Sequence, residues 1–242
     1  MLENKKYVKN GQFRLVDSRI ISSIIDASQI NNNDIVLEMG TGSGYLTLEI
    51  SKKAKFVSSY EIDYDLYVKA MKLCKYANNI RIINSDFFRN SVTEFDLFIS
   101  NIPYQYSNRI IKWLIGKKFR SAVIMVQHEF ANKLMAQPNN RSYSAISVIA
   151  QFCFDIESLF VVESYSFVPV PQVESQVIKL TPKNKITSKV MNIVELLFRN
   201  KNRAIDLKNN KFGKLTRISE LCVEEIIEIA IRKSSFNNIL DS

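Results

Sequence analysis

The stretch "VLEMGTGSGYLTLEI", residues 36–50, passes from an apolar, β-rich run through three closely spaced glycines into a segment of helical spacing. A strand carrying Glu38 near its end, followed by a turn on Gly40, Gly42 and Gly44 and then a helix, is a unit in which the backbone can turn tightly beneath a ligand. The spacing is G-x-G-x-G, with Tyr45 where the dinucleotide fingerprint G-x-G-x-x-G has its third glycine, so a nicotinamide cofactor is disfavoured. A glycine-rich turn alone is weak support for any ligand. The rest of the chain has to decide.

Outward from this turn, short β-rich runs alternate with amphipathic helical segments through about residue 135. "DIVLEM" (34–39), "FVSSY" (56–60), "IRIIN" (80–84), "FDLFIS" (95–100) and "SAVIMV" (121–126) read as strands, with "LYVKAMKLCKYA" and "NRIIKWLIG" as helices between them. That rhythm predicts a parallel α/β sheet of Rossmann-like type. After a helix around "YSAISVIAQF", the runs "SLFVVESYSF" (158–167) and "QVIKLT" are close enough in sequence to pair antiparallel at the sheet's end. Beyond Pro182 the pattern turns to helices, "ITSKVMNIVELLFRN" and "VEEIIEIAIRK", separated by basic loops. The expected division is therefore 1–182 for an α/β domain and 183–242 for a small helical one.

Composition narrows the class. With 242 residues, 46% hydrophobic and 24% charged, the chain can bury one large core or an ordinary domain plus a small one. No run approaches the roughly 18 apolar residues of a membrane span, and "MLENKKYVKNGQF" has no secretory apolar segment, so a cytoplasmic protein without a membrane partner is expected. Cys74, Cys153 and Cys222 are far apart and His128 is the only histidine, which supports neither a disulfide framework nor a metal site. The formal charge of +9 is uneven: residues 109–120 hold five basic side chains and no acid, and residues 183–242 hold 12 basic against 7 acidic. A nucleic-acid partner and a plain basic surface both fit that distribution.

The ends of the next strands carry more chemistry. Glu61, in "YEID" with Ile62 beside it, lies 21 positions after Gly40, where a carboxylate can accept both hydroxyl hydrogens of a ribose. In "NSDFF", Asp86 can accept from an exocyclic adenine amine and Phe87 can flank the ring. Either acid, taken singly, also suits a helix cap. Three consecutive strand ends, each with a group that an adenosine needs, favour a nucleoside site at the carboxyl edge of the sheet. The fourth strand runs into "NIPYQYSNRII", placing Asn101, Ile102, Pro103 and Tyr104 at the same edge. Asn and Pro are turn formers, so these four residues alone leave a simple turn open.

"NIPY" resembles the Asn/Asp-x-Pro-Tyr/Phe tetrapeptide of the S-adenosylmethionine-dependent methyltransferases that act on exocyclic amines of nucleobases. The resemblance implies that the Asn101 side-chain oxygen and the Ile102 carbonyl accept the two hydrogens of an adenine N6, freeing its lone pair, while Tyr104 stacks on the base. Such a reaction calls for alignment and needs no metal. Together with "VQHEFANKLMAQPNNRSYSAISVIAQF" and "FVPVPQVESQVIKL", the sequence from about residue 5 to 182 is similar to the ribosomal RNA adenine dimethyltransferase family of the small subunit. That family's F-x-P-x-P-x-V-x-S pattern is complete at Phe167, Pro169, Pro171, Val173 and Ser175, and it implies that Phe167 faces the target base; without it, Phe167 is equally a core aromatic. The family's "GQNFL" stands here as "GQFRL": Gly11, Gln12 and Leu15 match, whereas Phe13 replaces Asn and Arg14 replaces Phe, a departure that falls on the family's donor-contacting arm.

The resemblance implies S-adenosylmethionine as donor, held by Gln12, Phe13, Leu15, Glu38, Gly40, Gly42, Gly44, Glu61, Ile62, Asp86, Phe87 and Asn101. It implies small-subunit rRNA in a pre-ribosomal particle as partner, met by Arg109, Lys112, Lys117, Lys118 and Arg120 and by Arg199, Lys201 and Arg203, with the protein a monomer. The alternative is the large-subunit rRNA adenine methyltransferase of the macrolide-resistance type, which usually has Lys where this chain has Gln172. DNA adenine methylation is disfavoured by Ile102, where those enzymes usually have a second Pro. A non-catalytic ribosome-assembly or transcription factor on the same fold is disfavoured by the intact Glu61, Asp86, Asn101 and Tyr104.

Overall fold

The computed structural model describes residues 13–92, 94–199, 204–205 and 216–236. In chain order, β1 (Arg14–Leu15) is followed by α1 (Ser18–Ser28), whose first turn is capped by the Asp17 carboxylate accepting from the Arg19 N–H at 3.0 Å. Then come β2 (Ile35–Met39), α2 (Tyr45–Ser51), β3 (Phe56–Glu61), α3 (Tyr64–Leu73), β4 (Ile80–Asn84), β5 (Leu97–Asn101), α4 (Ser107–Leu114) and β6 (Ser121–Gln127). The chain continues through α5 (His128–Leu134), α6 (Ala145–Cys153), β7 (Phe154–Val162), β8 (Phe167–Val168) and β9 (Ser175–Pro182). It closes with α7 (Ser188–Phe198), β10 (Ala204–Ile205), β11 (Thr216–Arg217) and α8 (Val223–Phe236).

Seven strands form one sheet in the order β4-β3-β2-β5-β6-β9-β7. β2 through β6 pair parallel and β9 runs antiparallel to β6, so the sheet is mostly parallel, as the alternating pattern predicts. β5 and β6 are buried along almost their whole length, which is why they read as continuous apolar runs rather than alternating ones. The strand order reverses at β2: β3 and β4 lie to one side, β5 and β6 to the other. Such a reversal opens a crevice beyond the carboxyl ends of the two strands on either side of it.

The chain divides into two compact units. One comprises Met1–Ile110, Lys117–His128 and Glu157–Pro182; within it Ile21, Ile24, Val36, Leu97, Ile99 and Val123 share one core. The other comprises Ile111–Gly116, Glu129–Ile156 and Lys183–Ser242. The helical unit thus takes in α6 as well as the segment beyond Pro182, because Val148 and Ile149 of α6 share a core with Val190 and Val194 of α7 and Ile226, Ile227 and Ala230 of α8. Tyr143, fully buried in that unit, donates its hydroxyl to the Leu221 carbonyl at 3.1 Å.

The strand expected at 158–167 lies instead at Phe154–Val162. Ser164–Ser166 form a turn of 3-10 helix, and Phe167–Val168 pair antiparallel with Arg14–Leu15 in a separate two-stranded ribbon. Cys74, Cys153 and Cys222 are free thiols, and burial raises Cys74 to about 11 and Cys153 to about 12. No described helix is long and apolar enough to cross a membrane.

Two glycines of the 40–44 turn differ in what they tolerate. Gly44 has φ +90°, and a Cβ there would lie 3.1 Å from both Cα and Cβ of Ala70 on α3. Gly42 has φ +58° with nothing within 4 Å of its Cβ position. Gly44→Ala should therefore cost about 2–4 kcal/mol, backbone strain plus overpacking, against about 1 kcal/mol for Gly42→Ala. Urea denaturation of the two variants checks this; equal losses would mean that α2 and α3 are not in close contact at Gly44.

Candidate active site

The glycine turn is fastened to the end of β3. Gly40 and Thr41 both donate their N–H groups to the Tyr60 carbonyl, at 2.8 and 3.2 Å. Gly42 N–H donates to Glu61 Oε2 at 2.8 Å, and Asp63 N–H to Oε1 at 2.9 Å. The helix-capping role open to Glu61 from sequence falls to Asp63, which accepts from the Leu66 N–H at 3.0 Å. Glu61 is 2% exposed, and burial raises its pKa, an effect opposed by the two backbone N–H groups. Glu38 is buried more deeply still. Its Oε2 accepts from the Thr47 and Ser59 hydroxyls at 2.5 and 2.6 Å, and burial pushes its pKa up to about 7 against those two bonds.

Opposite the turn stands the end of β5. Ser100 donates its hydroxyl to the Met39 carbonyl at 2.5 Å, tying this strand to the end of β2. A Cβ at Gly40 would lie 3.8 Å from the Asn101 carbonyl oxygen and from Pro103 Cδ, so the two strand ends face each other closely. Asn101 Nδ2 donates to the Phe13 carbonyl at 3.2 Å. A carbonyl oxygen can only accept, so this bond fixes which way the amide is turned and leaves Oδ1 as its other arm. Tyr104 is held twice: its hydroxyl shares a hydrogen bond with Ser175 Oγ at 2.9 Å, and its ring meets that of Phe13 at 5.4 Å between centroids. Burial raises the Tyr104 pKa, so the phenol stays neutral at ordinary pH.

One cavity is lined by Phe13, Leu15, Glu38, Gly40, Gly42, Glu61, Asn101, Ile102, Pro103 and Tyr104, ten of the residues singled out from sequence. Arg14, Thr41, Ser43 and Tyr45 line it too. The other expected positions lie elsewhere. Gly44 packs under α3, Ile62 is 56% exposed beside Glu61, and Asp86 caps the short turn Phe87–Arg89 by accepting from Phe88 N–H at 2.9 Å. Phe87 is buried against Tyr60 and Phe98, so its ring serves the core. Phe167, paired with Leu15 and 1% exposed, takes the core role of the two that the sequence leaves open. Gln12 lies outside the described residues. Ser175 is a contact that sequence reasoning misses as a site residue; its signal is its place at the end of "FVPVPQVES". Thr47 and Ser59, which hold Glu38, carry no signal at all.

The basic run 109–120 is largely engaged with the protein. Lys112 forms an ion pair with Glu195, Lys117 donates to the Val92 carbonyl at 3.0 Å, and Arg120 reaches the Asp34 carboxylate at 2.5 Å. The Arg109 guanidinium lies 3.7 Å from the centre of the Phe88 ring, and Lys118 is exposed. Arg199 is exposed at the end of α7, while Lys201 and Arg203 lie outside the described residues.

The family model for ribosomal RNA adenine dimethylases matches residues 3–229. The chain belongs to the ribosomal RNA adenine dimethylase family. A relative in Thermotoga maritima, named ribosomal RNA small subunit methyltransferase A, is 34% identical over 232 residues, which cover 90% of this chain and 82% of the relative. Among solved structures, a dimethyladenosine transferase from Plasmodium falciparum superposes with a TM-score of 0.80 at 25% identity, over 91% of this chain and 98% of that one. The 23S rRNA methyltransferase ErmE does so with a TM-score of 0.70 at 25% identity, over 90% and 98%. The family is one of methyltransferases, which implies a methyl donor of the S-adenosylmethionine type. The cavity suits such a donor. At Gly42 the space a side chain would take is open, so a ligand can approach the backbone there.

The raised pKa of Glu38 has a measurable effect on stability. A folded-state value near 7, above the ordinary 4.5, means that folding favours the protonated carboxyl. That contribution is complete below pH 4.5 and is lost as the pH rises through about 7. Glu38→Gln, neutral at every pH, should gain on the parent protein across this window by about 3 kcal/mol. Urea denaturation of both proteins at a series of pH values measures the gain, and a pH-independent difference would show that folding leaves the Glu38 pKa unshifted.

Proposed function

We propose that this chain transfers methyl groups from S-adenosylmethionine to N6 of adenosines in small-subunit rRNA, two on each of two adjacent adenosines near the 3′ end, during maturation of the small subunit. The observation that carries this is the placement of Asn101, Ile102, Pro103 and Tyr104 in the same cavity as Gly42 and Glu61. The small-subunit substrate is the one that the name of the Thermotoga maritima relative supports. The donor supplies a methyl group on a good leaving group. Glu61 accepts from its ribose hydroxyls, with Ile62 and Asp86 on the adenine side, and the Gly40–Gly44 turn lets it approach the backbone.

Asn101 Oδ1 and the Ile102 carbonyl accept the two N6 hydrogens of the target base, which withdraws the nitrogen lone pair from the ring and aims it at the methyl group. Tyr104, pinned by Ser175 and backed by Phe13, offers a fixed face on which the base stacks. Arg109, Lys118 and Arg199 meet rRNA phosphates, with the segment beyond residue 182 as an RNA-contacting domain, and the protein works as a cytoplasmic monomer. Incubation with labelled donor and either small-subunit particles, large-subunit rRNA or DNA, followed by mass spectrometry of the nucleosides, tests the assignment. Dimethyladenosine in the small-subunit sample alone is expected; label only in large-subunit rRNA would transfer the assignment to the resistance-type enzymes.

Asn101→Ala should lower turnover by roughly 10²–10³-fold, the scale of losing one preorganised polar contact, with donor affinity changed far less. Single-turnover kinetics beside calorimetry separate the two effects, and near-normal turnover would remove the proposed role of Asn101. Glu61→Ala should weaken donor binding by about 1.5–3 kcal/mol, the size of a hydrogen bond to a charged group. Unchanged affinity would put the ribose elsewhere.

A further inference from the structure

We infer that Arg14 binds the α-carboxylate of the methyl donor's amino-acid arm, an assignment that rests on the donor site proposed above. Among the described residues lining the cavity, Arg14 is the only basic side chain; the other charged lining groups are Glu38 and Glu61. It stands in β1, in register with Val168, and is half-buried. Its Nη1 donates to Ser43 Oγ at 3.3 Å, which places the guanidinium against the glycine turn.

The chemistry of the donor divides in the same way. Its sulfonium and its α-ammonium are cationic, and its α-carboxylate is its one anion. With the ribose at Glu61 and the reacting end at Asn101, the amino-acid arm is left to the part of the wall where Ser43 and Arg14 stand. A guanidinium presents a planar fork of N–H donors that matches a carboxylate, and in a half-buried cavity that match is stronger than in water. Glu38 offers an anion no comparable partner, and Glu61 is already held by two N–H groups. The residue is also one of the two at which "GQFRL" departs from the family's "GQNFL", so this contact belongs to the chain itself rather than to the shared pattern.

The test is calorimetric titration of the full chain with two probes: S-adenosylhomocysteine, and S-adenosyl-3-thiopropylamine, which is the same molecule without the carboxylate. Wild-type protein should bind the carboxylate-bearing probe about 10-fold or more tightly than the amine, the scale of one charge-assisted hydrogen bond. Arg14→Gln should weaken S-adenosylhomocysteine by about that factor and leave the amine within about 2-fold. Arg14→Lys, which keeps the charge and loses the fork, should retain part of the preference. Equal weakening of both probes by Arg14→Gln would make Arg14 a brace for the turn through Ser43 and overturn the inference, as would an unchanged affinity for S-adenosylhomocysteine. If Arg14→Gln does not fold, the wild-type pair and Arg14→Lys decide: no preference for the acid, or a preference untouched in Arg14→Lys, overturns it. Glu61→Ala keeps the two proposals apart. Weakened binding of both probes in Glu61→Ala with an intact preference in Arg14→Gln sinks this inference alone, whereas no binding of either probe to wild-type protein sinks the donor site itself.

Discussion

The pairing of β2 with β5 is the constraint on which the site depends. These two strands, adjacent in the sheet, are separated in sequence by two strands and their helices, and the order of the sheet reverses between them. Val36 pairs with Leu97 and Leu37 with Phe98, so the glycine turn after Met39 and the Asn101–Tyr104 segment emerge side by side. The Ser100 hydroxyl on the Met39 carbonyl fixes that register at its end. Because side chains alternate along a strand, a slip of one residue would turn Ser100 away and move the whole segment to the opposite face of the sheet. The apolar burial of both strands excludes such a slip, and the core therefore specifies the geometry of the site.

Two carboxyl groups lie deep in this crevice and are accommodated differently. Glu61 keeps two backbone N–H groups on its oxygens, donors that favour the ionised form. Glu38 has two hydroxyls instead, weaker support, and burial leaves its proton in place up to about pH 7. Protonation of Glu38 also limits repulsion between the pair, since each charge raises the cost of the other.

The parallel strands at the centre of the sheet were legible because strands buried on both faces are written as compact apolar runs, as "DIVLEM", "FDLFIS" and "SAVIMV" are. The ribbon of β1 and β8 was not, because two residues carry no periodicity and their partners lie more than a hundred positions apart. The same long-range pairing buries Phe167, which local sequence shows only as an aromatic between polar and proline-rich neighbours. The basic run 109–120 misleads for a related reason: charge is visible along the chain, but Asp34 and Glu195, which engage Arg120 and Lys112, are distant in sequence. Asp86 reads correctly as an acid at a strand end, yet spacing alone does not separate a cap from a ligand.

The amino-terminal arm shows how the family pattern can change at two positions while the shape of the site persists. Phe13 contributes its backbone carbonyl to orient Asn101, and any residue at that position supplies the same acceptor. Replacement of an amide side chain by an aromatic ring therefore leaves the turn of the Asn101 amide intact and adds a ring contact behind Tyr104. Leu15, the matching residue, anchors the arm in the core beside Phe167, so the strand keeps its position whatever its neighbours are. Arg14, between them, is placed by the backbone pairing of the ribbon and reaches Ser43 across the cavity wall, outside the apolar cluster that Leu15 joins. Backbone groups and a buried leucine fix the geometry, which leaves positions 13 and 14 as places where the chain can alter the lining of the cavity without altering the fold.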